Sequence, residues 1–360
     1  PMATTTVASG LRVQKWDAEF FTEYHRKSRF ARYTGRSENS IIQVKEGLGK
    51  MGGDSITYSV VNRLKQSATR GAVTLAGNEE AMKNRSQRVY VELVRHGVEI
   101  DTKTEQIKTE IDLRNAARSG LQTWAKRLLR DDTIQAFMSI DGTKFADADA
   151  TARNTHLTNN ADRYLFGAAK SNAVSNVWAT AAATIDNSAD KLTPQAISLM
   201  KEIARDADPY ISPVTVNEDE EWFVLFVNNL AMRDLKTNTD MMQANRDARV
   251  RGENNPLWTG GDLLWDGVII KEIPEIPKVA SSIQISPAFF CGAQALGLAY
   301  AQTTRSVEDT PRDYGRLLPI GVEEIRKVEK LRFGTDPSAD TTTPKDWGMV
   351  TGWFASVASA

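Results

Sequence analysis

The sequence predicts an α+β protein in which a long strand pair, a long helix and a mixed body follow one another. Three observations lead to this fold class. Residues 55–64 and 88–100 alternate apolar with polar side chains, which is the period-two pattern of strands. Residues 103–138 contain no proline and repeat apolar side chains at helical spacing. Residues 222–227 form an unbroken apolar run, as in a strand buried on both faces.

The composition is that of a soluble globular protein. Of 360 residues, 41% are hydrophobic and 25% are charged, and this length predicts at least two lobes. The net charge of −1 requires neither nucleic acid nor a membrane as a partner. A single cysteine excludes an intrachain disulfide and fits synthesis in a reducing cytoplasm. We expect neither a secretory signal at the N-terminus nor a membrane span.

Residues 1–51 are predicted to form an N-terminal arm that carries a short helix. Residues 1–70 contain 12 Lys and Arg against 6 Asp and Glu, so this part is basic. Phe30 and Tyr33 stand among the densest cations, which are Arg26, Lys27, Arg29, Arg32 and Arg36. Such a segment can neutralise phosphates, dock on an acidic partner or remain a solvated face. We interpret it as an interaction arm, with nucleic acid as one option.

Residues 47–52, "GLGKMG", match the dinucleotide-binding pattern G-x-G-x-x-G. That pattern binds a pyrophosphate only where a strand enters the loop and a helix leaves it. Here the glycines are followed by "SITYSVV", which alternates like a strand. We therefore interpret the segment as a turn that starts a long strand. A soluble nucleotide-binding enzyme that uses this loop is the alternative.

The segment between the two predicted strands is long, polar and glycine-bearing. A connection of this length within a compact domain is usually functional. A lone two-stranded ribbon is marginally stable in water, and ten strand residues reach about 33 Å. The sequence thus predicts an extended β-hairpin loop over residues 52–100 that lies against another body. A neighbouring subunit is the candidate.

A long helix is predicted over residues 102–138, beginning at a capping box of Thr102 and Glu105. It is far longer than the average of about 11–12 residues, as expected for a spine on which a sheet packs. Its single apolar stripe consists of Leu113, Ala117, Leu121, Trp124 and Leu128. Residues 141–190 are predicted to be loops with one short helix.

The second half of the chain alternates helices and strands. Thr193 and Pro194 predict a helix start that continues to about Arg205. The stretches "GVIIKEI" and "DWGMVTGWFASVASA" are predicted strands. The stretch "GVEEIRKVEKLRFG" fits a strand, although its apolar spacing also allows a helix: Val322, Ile325, Val328 and Leu331.

No catalytic or metal-binding motif is present. His25, His96 and His156 are far apart, and no H-E-x-x-H, C-x-x-C or G-x-S-x-G pattern occurs. Cys291 lies in apolar "AFFCGAQAL", which is typical of a buried, inert thiol. We therefore predict a protein that is not an enzyme, with no cofactor and no metal. A chain that combines an arm, a long ribbon and a long spine helix, and that lacks catalytic motifs, suggests a protein that builds a shell.

Several stretches together carry a family resemblance, from about residue 36 to the C-terminus. They include "SENSIIQVKEGLGKMGGDSITY", "LAGNEEAM", "VELVRHGVEI", "DLRNAARSGLQTWAKRLLRD", "WFVLFVNNLAMRDLKTNT" and "NNPLWTGGDLLWDGVIIKE". These stretches resemble one family of tailed-phage major capsid proteins with the Hong Kong 97-type fold. Two departures are Asn228-Asn229, where His-Pro is common in the family, and the long "DPSADTTTPK" before the last strand.

This resemblance implies a major capsid protein. Many copies would form pentamers and hexamers of an icosahedral shell that encloses packaged double-stranded viral DNA. Residues 101–189 and 321–360 would form a peripheral domain, and residues 190–320 an axial domain. The protein would belong to the virion and assemble in the host cytoplasm, without a membrane. Scaffolding, portal and cement or decoration proteins are further partners that the family admits.

The resemblance also places the contacts between subunits on the extended loop. The candidate contact residues are Arg63, Lys65, Arg70, Asn78, Glu79, Glu80, Lys83 and Arg85. The basic arm would meet DNA or a partner protein. Besides the nucleotide-binding enzyme, a non-viral encapsulating compartment shell of the same fold remains an alternative.

Overall fold

The computed structural model of the protein describes eight ranges of the chain. These ranges are 30–47, 53–61, 66–80, 84–103, 113–216, 220–247, 263–334 and 343–357. Within them lie a five-stranded sheet, an eight-stranded sheet, two strand pairs and a set of helices. The mixture confirms the predicted α+β class.

The first strands along the chain are β1 (Thr34–Gly35), β2 (Ile42–Glu46), β3 (Ser55–Val61), β4 (Asn84–Tyr90), β5 (Glu92–Asp101), β6 (Tyr164–Phe166), β7 (Val214–Thr215) and β8 (Glu221–Val227). The later strands are β9 (Leu263–Trp265), β10 (Val268–Glu272), β11 (Val279–Ala280), β12 (Gln284–Cys291), β13 (Leu296–Glu308), β14 (Leu317–Lys330), β15 (Arg332–Gly334), β16 (Pro344–Asp346) and β17 (Met349–Ala355). The α-helices are α1 (Leu113–Met138), α2 (Ala150–Asn159), α3 (Trp178–Ala183), α4 (Pro194–Asp206), α5 (Asn229–Thr237) and α6 (Thr239–Asp247).

The five-stranded sheet has the order β1-β2-β13-β14-β5. Its centre is the long antiparallel pair of β13 and β14, while β2 adds to β13 in parallel and β5 adds to β14 antiparallel. Helix α1 packs across one face, where Leu121 and Leu129 share a core with Ile320 and Val322. The long helix is therefore the spine of this sheet, as its length predicts.

The buried stripe of α1 differs from the predicted one in its second half. Leu121 is buried as expected, but Ala125 and Leu129 follow it in the core, and Leu128 is only half-buried. The stripe drifts because the end of the helix also packs on the eight-stranded sheet, through Phe137. Of the predicted capping box, Thr102 lies in a turn, where its hydroxyl donates to the carbonyl of Arg316 at 3.0 Å, and Glu105 lies outside the described residues.

The eight-stranded sheet has the central order β6-β17-β12-β8-β10-β9. Helices α4 and α5 cover one face with a continuous apolar core. On the other face, Phe226 of β8 and Phe289 of β12 pack against Phe137, with ring centroids 5.7 Å and 5.2 Å away. Strand β8 is thus buried on both faces, as its unbroken apolar run predicts.

Helix α4 begins as the sequence predicts. The Thr193 side chain accepts a hydrogen bond from the backbone N–H of Ala196 at 3.2 Å, and Pro194 occupies the first helical position. Residues 141–190 contain more regular structure than predicted, namely α2, α3 and β6. Their weak periodicity follows from contact with several small apolar surfaces rather than one face.

The two sheets do not follow the predicted domain boundary at residue 320. Strand β13 lies in the interval predicted as axial, yet it is hydrogen-bonded to β14, most of which lies in the interval predicted as peripheral. Strand β17 lies in the interval predicted as peripheral, yet it pairs with β6 and β12 in the eight-stranded sheet. Both sheets combine segments distant in sequence, so a division by sequence intervals cannot separate them.

Residues 30–46 belong to the body, although the sequence assigns them to the arm. Phe30 is 2% exposed, and its ring lies 5.3 Å from that of Phe226. Strand β2 pairs with β13 from Ile42 to Glu46. Apolar side chains at Ile41, Ile42 and Val44 anchor this segment in the core. Residues 1–29 lie outside the described residues.

The extended hairpin is shorter than its sequence pattern indicates. Strand β3 pairs with β4, and the register runs from Ser55 opposite Tyr90 to Val61 opposite Asn84. At Val91 the chain changes partner, and β5 pairs with β14 in the body instead. The alternation continues across Val91, so the sequence alone predicted one strand over 88–100 where the structure has two.

Strand β14 resolves the open choice between strand and helix for "GVEEIRKVEKLRFG". Its even-numbered residues from Ile320 to Lys330 are buried, and its odd-numbered ones are half-buried. The period of two is hidden because three buried positions are charged: Glu324, Arg326 and Lys330. Arg326 is held by Glu324 at 2.5 Å and by Asp132 of α1 at 2.8 Å.

We predict that Tyr58→Ala detaches the hairpin from the body, because Tyr58 is 1% exposed against β13. Loss of a buried aromatic side chain should lower the unfolding free energy by about 3–5 kcal/mol. Chemical denaturation measures this change, and limited proteolysis locates it. Val61→Ala, at a site that is 59% exposed on the same strand, is the control. Equal losses in both variants would contradict the prediction.

Candidate functional site: a projecting hairpin and an open sheet face

The root of the β3–β4 hairpin packs on the chain's own body. Tyr58 lies over Gly297 of β13, where an added Cβ would come within 2.9 Å of the Tyr58 ring. The Tyr58 hydroxyl donates to the carbonyl of Gln43 at 3.3 Å. Ile56 and Val89 complete this small core with Leu331 and neighbouring side chains. At its root, the body against which the ribbon lies is therefore the chain's own and not a neighbouring subunit.

One polar side chain fixes the angle at which the hairpin leaves the body. The Gln87 amide donates to the carbonyl of Lys330 at 3.1 Å and accepts from the backbone N–H of Arg332 at 2.6 Å. It thus bonds to backbone groups on both sides of Leu331. Lys45 on β2 also contacts the hairpin, because its ammonium lies 4.7 Å from the centroid of the Tyr58 ring. Burial lowers the pKa of Lys45.

Beyond the root, the hairpin becomes exposed. Residues 66–80 are exposed throughout, apart from half-buried positions at 69 and 80. Three large apolar side chains are among the most exposed in the described residues: Val61 at 59%, Val73 at 62% and Leu75 at 62%. Val73 and Leu75 lie two residues apart on the distal loop, so their exposed apolar surfaces are close in sequence.

The distal loop has its own hydrogen bonds. The Gln66 backbone N–H donates to Glu80 at 2.7 Å, and its side-chain amide donates to the carbonyl of Asn78 at 3.0 Å. Glu79 accepts from the N–H of Gly77 at 2.7 Å, and the Asn78 amide donates to the carbonyl of Thr74 at 2.8 Å. These bonds close the two ends of the loop and define its shape before any partner arrives.

The candidate contact residues therefore fall into four groups. Arg70 is exposed on the distal loop, whereas Asn78, Glu79 and Glu80 are engaged in the hydrogen bonds that shape it. Arg85 is only 9% exposed, so it is part of the chain's own packing rather than an exposed contact. Three candidates lie outside the described residues: Arg63, Lys65 and Lys83.

A second open surface lies on the face of the five-stranded sheet opposite α1, beyond the part that the hairpin root covers at Gly297. Because Ile320 and Val322 point into the core, the alternate residues of β14 point to this open face. Gly321 lies there directly opposite Gly97 of β5, beside Val307 of β13. These residues line a groove of about 550 Å³. Glycine within a strand often marks close approach by another backbone.

Charged side chains lie on both sides of Gly97 and Gly321 along the strands. On one side Glu323 lies between Arg305 and Arg95, and the Arg305 guanidinium donates to Glu323 at 2.6 Å. On the other side Glu99 lies opposite Pro319. No motif in the sequence pointed to this face, since only the strand register brings Gly97 and Gly321 together.

The basic arm is described in part. Arg32 is exposed, and Arg36 is also exposed but forms an ion pair with Glu46 at 2.5 Å. Arg26, Lys27 and Arg29 lie outside the described residues. The glycine loop 47–52 connects β2 to β3, so the element that follows it is a strand and not a helix N-terminus. Residues 48–52 themselves lie outside the described residues.

The described residues do not converge on a catalytic arrangement. His96 stacks on Trp124, with ring centroids 4.6 Å apart, and His156 is buried among charged partners. Burial raises the pKa of the Cys291 thiol well above its usual value, so the thiol is inert. The described ranges contain no cluster of three or more metal-ligating side chains. None of the helices described here is long and apolar enough to cross a membrane.

Comparison with known proteins gives a consistent family. The phage capsid protein family matches residues 4–358. The major capsid protein of Pseudomonas phage KPP25 is 25% identical over 362 residues, covering 95% of this chain and 94% of that protein.

Solved capsid structures share the fold. A chain of the cyanophage Pam1 capsid asymmetric unit is 34% identical with a TM-score of 0.81, and the match covers 99% of this chain and 100% of that one. The capsid of Ralstonia phage GP4 matches at 23% identity with a TM-score of 0.73, covering 93% and 92% of the two chains. These matches confirm the Hong Kong 97-type fold. The chain belongs to the phage capsid protein family, in which its role is that of a major capsid protein.

Proposed function

We propose that many copies of this protein form the icosahedral shell around packaged double-stranded viral DNA, and that the distal loop 66–80 holds each copy to its neighbour. The observation that carries this proposal is an ordered loop whose apolar side chains, Val73 and Leu75, are exposed on the single chain. The role is structural and requires no cofactor. Assembly in the host cytoplasm into pentamers and hexamers is part of the same proposal.

The expected free energies favour apolar contacts over charge pairs as the main source of affinity between the distal loop and its neighbour. Burying one Val or Leu side chain contributes about 1.5–3 kcal/mol, whereas an exposed ion pair contributes about 0–1 kcal/mol. Arg70 and the loop carboxylates therefore add orientation more than affinity. Over a closed shell, simultaneous contacts multiply a modest affinity per contact.

Two features reduce the entropic cost of this contact. The root of the hairpin is fixed by Tyr58 and Gln87, and the loop is closed at Gln66. A partner surface then orders few additional residues when it binds, which preserves affinity.

We further propose that the open sheet face around Gly97 and Gly321 is a contact surface for another copy of the chain.

The sheets support a modified domain assignment. We propose that the five-stranded sheet with α1 forms the peripheral domain and that the eight-stranded sheet with α4 and α5 forms the axial domain, which meets its equivalents at the centres of capsomers. The exchanged strands β13 and β17 make this division better than the intervals 101–189, 190–320 and 321–360.

The basic arm is proposed to lie on the inner surface and to contact DNA. Its clustered positive charge within residues 26–36 supports this assignment. Scaffolding, portal and cement proteins are further proposed partners. A non-viral compartment shell is not favoured, because the relatives that match the whole chain are phage capsid proteins. A nucleotide-binding enzyme is not favoured either, because a strand and not a helix follows the glycine loop.

We predict that replacing residues 67–79 by a short Gly-Ser linker abolishes shells while subunits stay soluble and folded, since β3 and β4 remain. Size-exclusion chromatography and negative-stain electron microscopy measure assembly, and circular dichroism measures folding. Shells of normal size from this variant would show that the distal loop has no role between subunits.

A second prediction separates apolar from charged contacts. Val73→Ser combined with Leu75→Ser should weaken each contact by about 3 kcal/mol, or roughly a hundredfold in its dissociation constant. Arg70→Ala should change it by less than about tenfold. Light scattering against protein concentration gives the threshold for assembly. A larger effect of Arg70→Ala would contradict the predominance of apolar burial.

Charge reversal tests the arm. The variant Arg26→Glu, Lys27→Glu, Arg29→Glu and Arg32→Glu should reduce DNA retention in purified particles, measured as the ratio of nucleic acid to protein. The matched control replaces the three arginines, Arg26, Arg29 and Arg32, by lysine, which keeps the charge and should keep the DNA. Arg36 is left unchanged because it pairs with Glu46. Wild-type DNA content after reversal would exclude the arm as a DNA contact.

A further inference from the structure

A buried group of charged side chains lies where the two sheets meet, with His156 at its centre. His156, on α2, is 1% exposed. Its Nδ1 lies 3.1 Å from Oδ1 of Asp141, and its Nε2 lies 3.4 Å from Oδ2 of Asp346. Both ring nitrogens therefore face carboxylate oxygens.

The doubly protonated ring alone satisfies both contacts. A neutral imidazole has one N–H donor and one lone pair, so either tautomer directs its lone pair at a carboxylate oxygen. The Asn160 amide donates one N–H to the carbonyl of His156 at 2.9 Å, and its nitrogen lies 3.5 Å from Nδ1. Asp141 Oδ1 is nearer to Nδ1, at 3.1 Å, so an unprotonated Nδ1 still faces a carboxylate oxygen. The imidazolium donates to Asp141 from Nδ1 and places its second positively charged N–H beside Asp346, in an ion-pair contact of 3.4 Å.

Each carboxylate also has a second cation. Asp346 is 1% exposed and lies 2.9 Å from the Lys330 ammonium, which also donates to the carbonyl of Ser139 at 3.0 Å. Asp141 lies 2.7 Å from the Arg332 guanidinium. Further titratable or charged groups around this cluster are Glu329, Asp162, Arg163, Tyr164, Asp208 and Lys345, together with the Cys291 thiol near Lys330.

These contacts connect parts of the chain that are far apart in sequence. Asp141 follows the spine helix α1, and Lys330 ends β14 of the five-stranded sheet. Asp346 ends β16, which leads directly into β17 of the eight-stranded sheet. His156 is therefore positioned between the elements that join one sheet to the other.

We propose that His156 is a pH-sensitive latch that, in its protonated form, bridges Asp141 and Asp346 and holds the segment 344–355 to the spine helix and β14. Loss of the proton places a lone pair against a buried carboxylate and weakens the joint between the two sheets. This device is a property of the single chain and goes beyond the proposed assembly function.

The directions of the pKa shifts agree with this geometry. Burial opposes the charged ring, but the negative charge of Asp346 and the contacts that the ring N–H groups make with the Asp141 and Asp346 carboxylates outweigh burial and raise the pKa of His156. The stabilisation is thus fully present below the unfolded pKa of about 6.5 and is lost as pH rises through the folded value. Burial likewise opposes ionised Asp346, yet Lys330 and His156 lower its pKa. The stability that ionised Asp346 contributes is therefore lost only at low pH.

The test is the thermal unfolding midpoint of the full chain between about pH 6 and pH 9, where histidine titration is isolated from carboxylates. Wild type should lose stability as pH rises. His156→Gln should be less stable at pH 6 and should lack this slope, because glutamine carries no titrating charge. His96→Gln, at the exposed histidine stacked on Trp124, is the matched control and should retain the slope.

A slope that persists in His156→Gln, or a wild type without one, would overturn the proposal. If His156→Gln does not fold, Asp141→Asn gives the second reading, because Asp141 has φ of 50° and asparagine tolerates that conformation. Removing one carboxylate should shift the loss of stability to lower pH. An unchanged midpoint pH in Asp141→Asn would equally contradict the latch.

A direct readout is the histidine titration by NMR on selectively labelled protein. The chain has three histidines, so single variants assign each signal. The His156 signal should titrate above a model-peptide histidine, whose pKa is about 6.5. A midpoint at or below that value would reject the latch. Because neither measurement requires shells, failure of the latch and failure of assembly are distinguishable.

Discussion

The antiparallel pairing of β13 with β14 is the interaction on which the rest of the structure depends. One face of this ladder receives the spine helix through Ile320 and Val322, and the other receives the hairpin root through Gly297. Its edges accept β2 and β5. Since both faces and both edges are used, a single ladder fixes the direction of the hairpin relative to the helix.

Charged side chains on the buried face of β14 give this arrangement its specificity. Glu324, Arg326 and Lys330 lie among apolar positions, and each is compensated by a partner from another segment: Thr304, Asp132 and Asp346. Removing one partner of a buried ion pair costs about 3–5 kcal/mol, so an alternative register that loses these pairs is strongly disfavoured. The same interactions bring His156 to the joint between the sheets.

The functional surface combines rigid support with exposed apolar side chains. At the root of the hairpin Tyr58 and Val89 are fully buried, while Val73 and Leu75 on the distal loop are exposed. The subunit thus combines a hairpin root held by its own body with exposed apolar side chains on the distal loop. Weak, repeated contacts of this kind suit a closed shell of identical copies.

The sequence by itself determined the elements with a clear period: the hairpin strands, the spine helix, the buried strand β8 and the capped helix α4. Local pattern is sufficient there because one face of each element meets one environment. It also predicted an extended loop as the contact site, but not how its root is held.

Only the tertiary structure decided which strands pair. The change of partner at Val91, the exchange of β13 and β17 between the predicted domains, and the meeting of Gly97 with Gly321 are all long-range. The buried charges of β14 obscure its period because their partners come from elsewhere in the chain. The free energy of pairing two strands depends on neighbours that are distant in sequence, and a local sequence pattern does not identify those neighbours.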